Sequence, residues 1–129
     1  MNDNQVEAEI QVKGLTAPRV TTADIEANIK SEHYFTAEQG AAMATADATG
    51  EAAHPQPAEL GLLTFCVMVL RNGYTVTGES ACASPENFDA ELGRKIARQN
   101  AVQKIWPLMG YELKQKLHEK IIIKIVKGN

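Results

Sequence analysis

The sequence has only two cysteines, three scattered histidines and no long apolar run, and each shortage removes a class of function. Cys66 and Cys82 make neither a disulfide framework nor a metal-ligand spacing. His33, His54 and His118 sit in stretches of unlike composition, so a zinc or iron site would have to be assembled entirely by folding. No run of about 18 apolar residues occurs, so no segment reads as a membrane span. Met1-Asn2-Asp3-Asn4 lacks the basic and apolar regions of a secretory signal, and the chain is expected in the cytoplasm. There is no nucleophile elbow, no Walker loop and no GxGxxG. The expectation is therefore a binding or accessory protein, not an enzyme, and one without a cofactor.

Basic side chains are scarce in the first half. Residues 1–60 carry ten acidic groups against Lys13, Arg19 and Lys30, a net −7. Residues 61–129 carry ten basic against six acidic, a net +4. An anionic ligand is thus better received by the second half, although a basic surface there also complements the acidic half within one molecule or a dimer.

What is present suits one domain spanning 1–129, since 129 residues at 44% hydrophobic can bury a core. Residues 6–12 alternate like a strand, but their Glu, Ala and Gln content and Gly14 as a stop favour a short helix. Thr21-Thr22-Ala23-Asp24 reads as an N-cap with an acid three residues on, opening a helix through Ile25 and Ile29. Thr36-Ala37-Glu38-Gln39 is a capping box for a further short turn of helix ahead of Gly40. The aromatics between, Tyr34 and Phe35, read as a staple into the core. Residues 41–60, rich in Ala, Thr, Glu and Pro, read as a flexible loop because Pro55 and Pro57 break regular helix.

The clearest local signal is Asn72-Gly73 between Leu62–Leu70 and Tyr74–Thr77, a β-hairpin with a two-residue type I′ turn. That register places Val69 opposite Val76 and Val67 opposite Gly78. It puts Leu63, Phe65, Val67, Val69, Tyr74 and Val76 on the core face, and Cys66 and Cys82 on opposite faces, so no intrachain disulfide is expected. Ser84 with Pro85 opens a helix that Pro107 stops or kinks. Gly110 separates it from a last helix over 111–117. The β-branched run 121–126 fits a strand, which within the chain or across subunits needs a cover, so a homo-oligomer is expected. The fold class is α+β: a central antiparallel hairpin followed by two helices, with short N-terminal helices.

On the long helix, Arg94 and Arg98 are four apart and stack on one face, a fork-shaped grip for phosphate. Tyr74, Trp106 or the Tyr34-Phe35 pair is available to stack a base. The alternative is a solvated face in which Glu91 pairs with Lys95 or Arg94. Asn100, set among Ala97, Ala101 and Val102, needs a hydrogen-bond partner if buried.

Four blocks carry a family resemblance: Ser31-Glu32-His33-Tyr34-Phe35-Thr36-Ala37, Leu60 to Cys66, Leu70 to Ser80, and Ser84 to Asp89 continuing through Gly93-Arg94-Lys95-Ile96-Ala97-Arg98 to Pro107. They resemble the small phage protein family named after a gene-forty-nine product of a lytic coliphage and a gene-sixty-six product of a Shigella phage. The resemblance covers about Thr21 to Leu117 and implies a home in the host bacterial cytoplasm, but carries no biochemistry. The hairpin-then-helix layout is also similar to that of phage sponges acting against Thoeris immunity, which bind cyclic ADP-ribose-type signals without cleaving them. That second likeness implies a nucleotide signal as partner, gripped by Arg94, Arg98 and Asn100, with Arg71, Tyr74 and Phe65 in second rank. An interaction protein with a macromolecular target and a nucleic-acid binder using the basic half are the competing expectations. The last would lose affinity steeply with salt.

Overall fold

The computed structural model describes residues 1–51 and 54–128. The chain divides into two compact units, one formed by Met1–Asn28 with the chain from Ile105 onward, the other by Ile29–Lys104.

The second unit holds the sheet. Strand β1 (Ile29–Thr36) pairs antiparallel with β2 (Leu63–Leu70), which pairs antiparallel with β3 (Thr75–Ala81), so β2 is central. The hairpin was expected; the third strand was not. The segment read as an aromatic staple is β1, with Tyr34 opposite Cys66 and Phe35 opposite Phe65. Its polar residues hide the strand signal because it lies at the sheet edge, where one side of the ladder meets solvent.

The turn differs from the expected type I′, and the difference moves every side chain. Leu70 N–H donates to the Tyr74 carbonyl at 2.8 Å, closing a three-residue loop of Arg71, Asn72 and Gly73. Within the loop only Gly73 takes a left-handed φ, at +89°, and no non-glycine residue among the described residues does, so Asn72 does not supply its half of a I′ turn. The register slips by one residue: Met68 faces Val76 and Cys66 faces Gly78. A slip of one exchanges the faces of β2. The core face is therefore Thr64, Cys66, Met68 and Leu70, all buried, while Leu63, Phe65, Val67 and Val69 are half-buried on the other side. The hydrophobic pattern could not choose, because β2 is apolar on both faces. Cys66 and Cys82 now share a face, yet both are free thiols. Cys82 N–H donates to the carbonyl of Leu62, which precedes β2 and lies four residues before Cys66, too far for a bridge.

Helix α1 spans Asp3–Val12 and α2 spans Thr22–Ala27, each opened by a capping box, Asn2 with Gln5 and Thr21 with Asp24. Helix α2 stops before Ile29, which begins β1. Helix α3 runs Ala37–Thr49 behind the Thr36–Gln39 capping box, so it passes through Gly40 and takes the first half of the expected loop. Its alanines favour helix, and it ends at Gly50 with φ +70°, ahead of both prolines. Ala58–Leu62 forms a 3₁₀ turn, and residues 52–53 of the expected loop lie outside the described residues.

The two expected helices beyond Ser84 are one. After a 3₁₀ turn at Pro85–Asn87, helix α4 runs Ala90–Val126 with Pro107 inside it. Asp89, rather than Ser84, caps it, accepting from Leu92 N–H at 3.0 Å. The proline removes one backbone bond, but an established helix propagates far more easily than a new one nucleates. The same cooperativity carries the run 121–126 as helix, where a strand was expected.

Helix α4 meets the sheet through small residues. A Cβ on Gly78 would lie 2.1 Å from the Ala97 carbonyl oxygen and 2.3 Å from Ala101 N, so only glycine admits the helix backbone there. Ala97 and Ala101 are fully buried. In the first unit, Ile25 and Ile105 are buried, Arg19 grips Glu7 at 2.6 and 2.7 Å, and Trp106 Nε1 donates to Asp3 at 3.1 Å.

Candidate functional site

Where β1 ends, α3 and α4 both begin, and a cleft of about 500 Å³ opens between them. The strand supplies Tyr34 and Thr36 from the face that meets α4, and Phe35 from the other. Alternation brings Thr64 of β2 to the same end, since Thr36 and Thr64 are paired residues. The first turn of α3 adds Glu38 and Gln39, and the approach to α4 adds Phe88, Ala90 and Arg94.

The polar groups are unevenly committed. Thr36 Oγ1 accepts from Gln39 N–H at 3.2 Å, so its hydroxyl holds the cap of α3. Thr64 is 3% exposed, yet its hydroxyl makes no hydrogen bond among the described residues. It lies where a Cβ on Gly93 would come within 3.2 Å of Oγ1. Burial, with the Cys66 thiol beside it, pushes the Tyr34 phenol up to about 12, so it stays neutral at physiological pH. Burial also raises the Cys66 thiol, which is fully enclosed and chemically quiet.

Arg94 and Arg98 share a helix face but not a task. Arg98 Nε contacts Glu32 of β1 at 2.6 Å, locking α4 to the strand. Arg94 is exposed, lines the cleft and has no ion pair or hydrogen bond among the described residues. Glu91 is paired with Lys95 at 3.3 Å instead. Asn100 is exposed, so burial does not impose the partner that was expected; its Nδ2 nonetheless donates to the Glu79 carbonyl at 2.8 Å and braces the helix against β3. Phe65 packs on Phe35 with ring centroids 5.6 Å apart and reaches the cleft only through that ring. Arg71 and Tyr74 flank the hairpin turn at the opposite end of β2, and Trp106 belongs to the first unit.

Of the expected binding residues, then, Arg94 lines the cleft and Phe65 supports it from behind. Arg98 and Asn100 hold the helix in place, and Arg71 and Tyr74 are remote. Thr64, Glu38 and Phe88 escaped sequence reasoning. The signal near them was the Thr36–Gln39 capping box alone, because residues 29–36 do not alternate in hydrophobicity. No lining residue is histidine or cysteine, and no group of three or more His, Cys, Asp or Glu is placed for a metal ion among the described residues. The cleft offers one open cation, one carboxylate, hydroxyls and aromatic rings. That set can hold a ligand with an anionic group and a flat ring.

One family model matches the chain over residues 20–117, that of the Phage protein (N4 Gp49/phage Sf6 gene 66) family. No curated protein and no solved structure matches it.

Proposed function

The chain belongs to the phage protein (N4 Gp49/phage Sf6 gene 66) family, and for it we propose non-enzymatic binding and sequestration of a nucleotide-derived immune signal, of the cyclic ADP-ribose or cyclic oligonucleotide type. The supporting observation is the cleft in which an unpaired Arg94 and the unpartnered hydroxyl of Thr64 meet the rings of Phe35 and Phe88. Arg94 takes a phosphate by a charge-assisted contact, and Thr64 adds a second donor. A base stacks against the aromatic side. Glu38 accepts from a ribose hydroxyl or an exocyclic amine. Such a site holds its ligand by complementarity alone, which is what sequestration in a host bacterial cytoplasm requires. The likeness in layout to anti-Thoeris sponges enters here as part of the proposal. So does a homo-oligomer.

The test is calorimetric titration of the protein with cyclic ADP-ribose isomers and cyclic dinucleotides, followed by chromatography of ligand released by denaturation. Saturable binding with intact ligand recovered is the expected result. Arg94→Ala and Thr64→Val each weaken it. A ligand recovered cleaved would replace sequestration with catalysis. A full panel without binding would pass the reading to a macromolecular partner.

A further inference from the structure

The distal end of α4 carries a second surface, independent of the cleft. The family match ends at Leu117, and the helix continues to Val126 with Ile121, Ile122, Ile123, Ile125 and Val126 between 45% and 78% exposed. At about 100° per residue these five side chains occupy more than half of the helix circumference. The remaining strip carries lysines at the distal end, in line with Leu113 and Leu117 one heptad earlier. Lys116, Lys120 and Lys124 are four apart and form one row, which Lys127 extends just past the helix. Lys116 is held by Glu112 at 3.1 Å, whereas Lys120, Lys124 and Lys127 form no ion pair among the described residues. From Leu113 to Lys127 five lysines face one acid, Glu119, a net +4.

Two occupants could cover this surface, and the pattern separates them. A partner helix covers a stripe about 100° wide, which would leave much of this sector wet. Seven residues on from Leu113 and Leu117 stand Lys120 and Lys124, so a heptad seam with a second copy would bury lysines. A lipid interface takes a broad apolar sector and welcomes lysines beside it, through anionic headgroups. No helix among the described residues is long and apolar enough to cross a membrane, so the contact is with the surface. We propose that the stretch from Leu113 to Lys127 docks the protein on the surface of an anionic bilayer, with Ile121, Ile122, Ile125 and Val126 entering the headgroup boundary.

The test is flotation of the full chain with vesicles of phosphatidylcholine alone and of phosphatidylcholine and phosphatidylglycerol in a two-to-one ratio. The expected result is co-flotation with the anionic vesicles only, weakened by added salt. The pair Lys120→Glu with Lys124→Glu, and the pair Ile122→Ser with Ile125→Ser, should each lower binding roughly tenfold or more. Circular dichroism and melting temperature should hold for both, because these side chains are exposed. Failure to float with anionic vesicles would overturn the proposal. So would sedimentation as a dimer that the Ile122→Ser, Ile125→Ser pair dissociates, since the face would then belong to a second copy.

Discussion

The two ends of α4 solve opposite problems with opposite residues. Its first turns lie against a strand, and there the helix is stripped to Gly93, Ala97 and Ala101 so that backbone meets backbone at Gly78. Its distal end carries the bulkiest aliphatic residues of the helix and leaves them in the open. Burial thus follows the room a neighbouring element leaves, rather than side-chain hydrophobicity. Small residues at four-residue spacing mark where a helix docks. Five large aliphatic side chains within 121–126 stand exposed instead.

The largest effect should come from filling the docked end. Gly78→Val drives a branched side chain into the backbone of α4 and should remove about 3 kcal/mol of stability in urea denaturation. A loss below about 1 kcal/mol would mean that the helix rides higher on the sheet than described. Ile125→Ser at the open end should change stability by no more than about 0.5 kcal/mol in the same assay.

Next comes the pair of arginines one turn apart. Arg94→Ala should weaken a bound nucleotide by about 1.5–3 kcal/mol, roughly tenfold or more, while leaving the free protein as stable as before. Arg98→Ala should do the reverse, lowering the melting temperature through its lost contact with Glu32. That contact is about one-third exposed, so its contribution is modest. Asn100→Ala should cost about 1 kcal/mol by releasing the Glu79 carbonyl.

Smaller still is Gly110→Ala, which should stabilise by about 0.5–1 kcal/mol. A Cβ there meets nothing within 4 Å, and the glycine sits in a helix interior. Thermal melting checks it. The first unit offers a pH test. Arg19 holds the Glu7 carboxyl down, at about 2 against the usual 4.5. A depressed carboxyl contributes stability that is present above about pH 4.5 and is lost as pH falls toward 2. Glu7→Gln should flatten the acid limb of the melting curve across that window.

Much of the fold was legible, and the failures share a cause. Capping boxes at Thr21 and Thr36 marked α2 and α3 because their chemistry is local. The hairpin was legible as a hairpin, but not in register. Asn-Gly admits both a two-residue and a three-residue loop, and the apolar residues on both faces of β2 do not arbitrate. Strand β1 was hidden by its edge position, and the distal helix by isoleucines whose strand propensity is overridden by the helix already running. The site was half legible. Helical spacing placed Arg94 and Arg98 side by side. Only the strand opposite, with Glu32 offered to Arg98 and the cleft to Arg94, divides their roles.

The measurement closest to the central claim is thermal unfolding of wild type, Arg94→Ala and Arg98→Ala, with and without cyclic ADP-ribose isomers and cyclic dinucleotides. A nucleotide that raises the melting temperature of wild type and of Arg98→Ala, but not of Arg94→Ala, is the predicted result. Equal shifts in all three proteins would contradict the cleft as the binding site. Loss of the shift in Arg98→Ala alone would return the ligand to the arginine that the structure gives to Glu32.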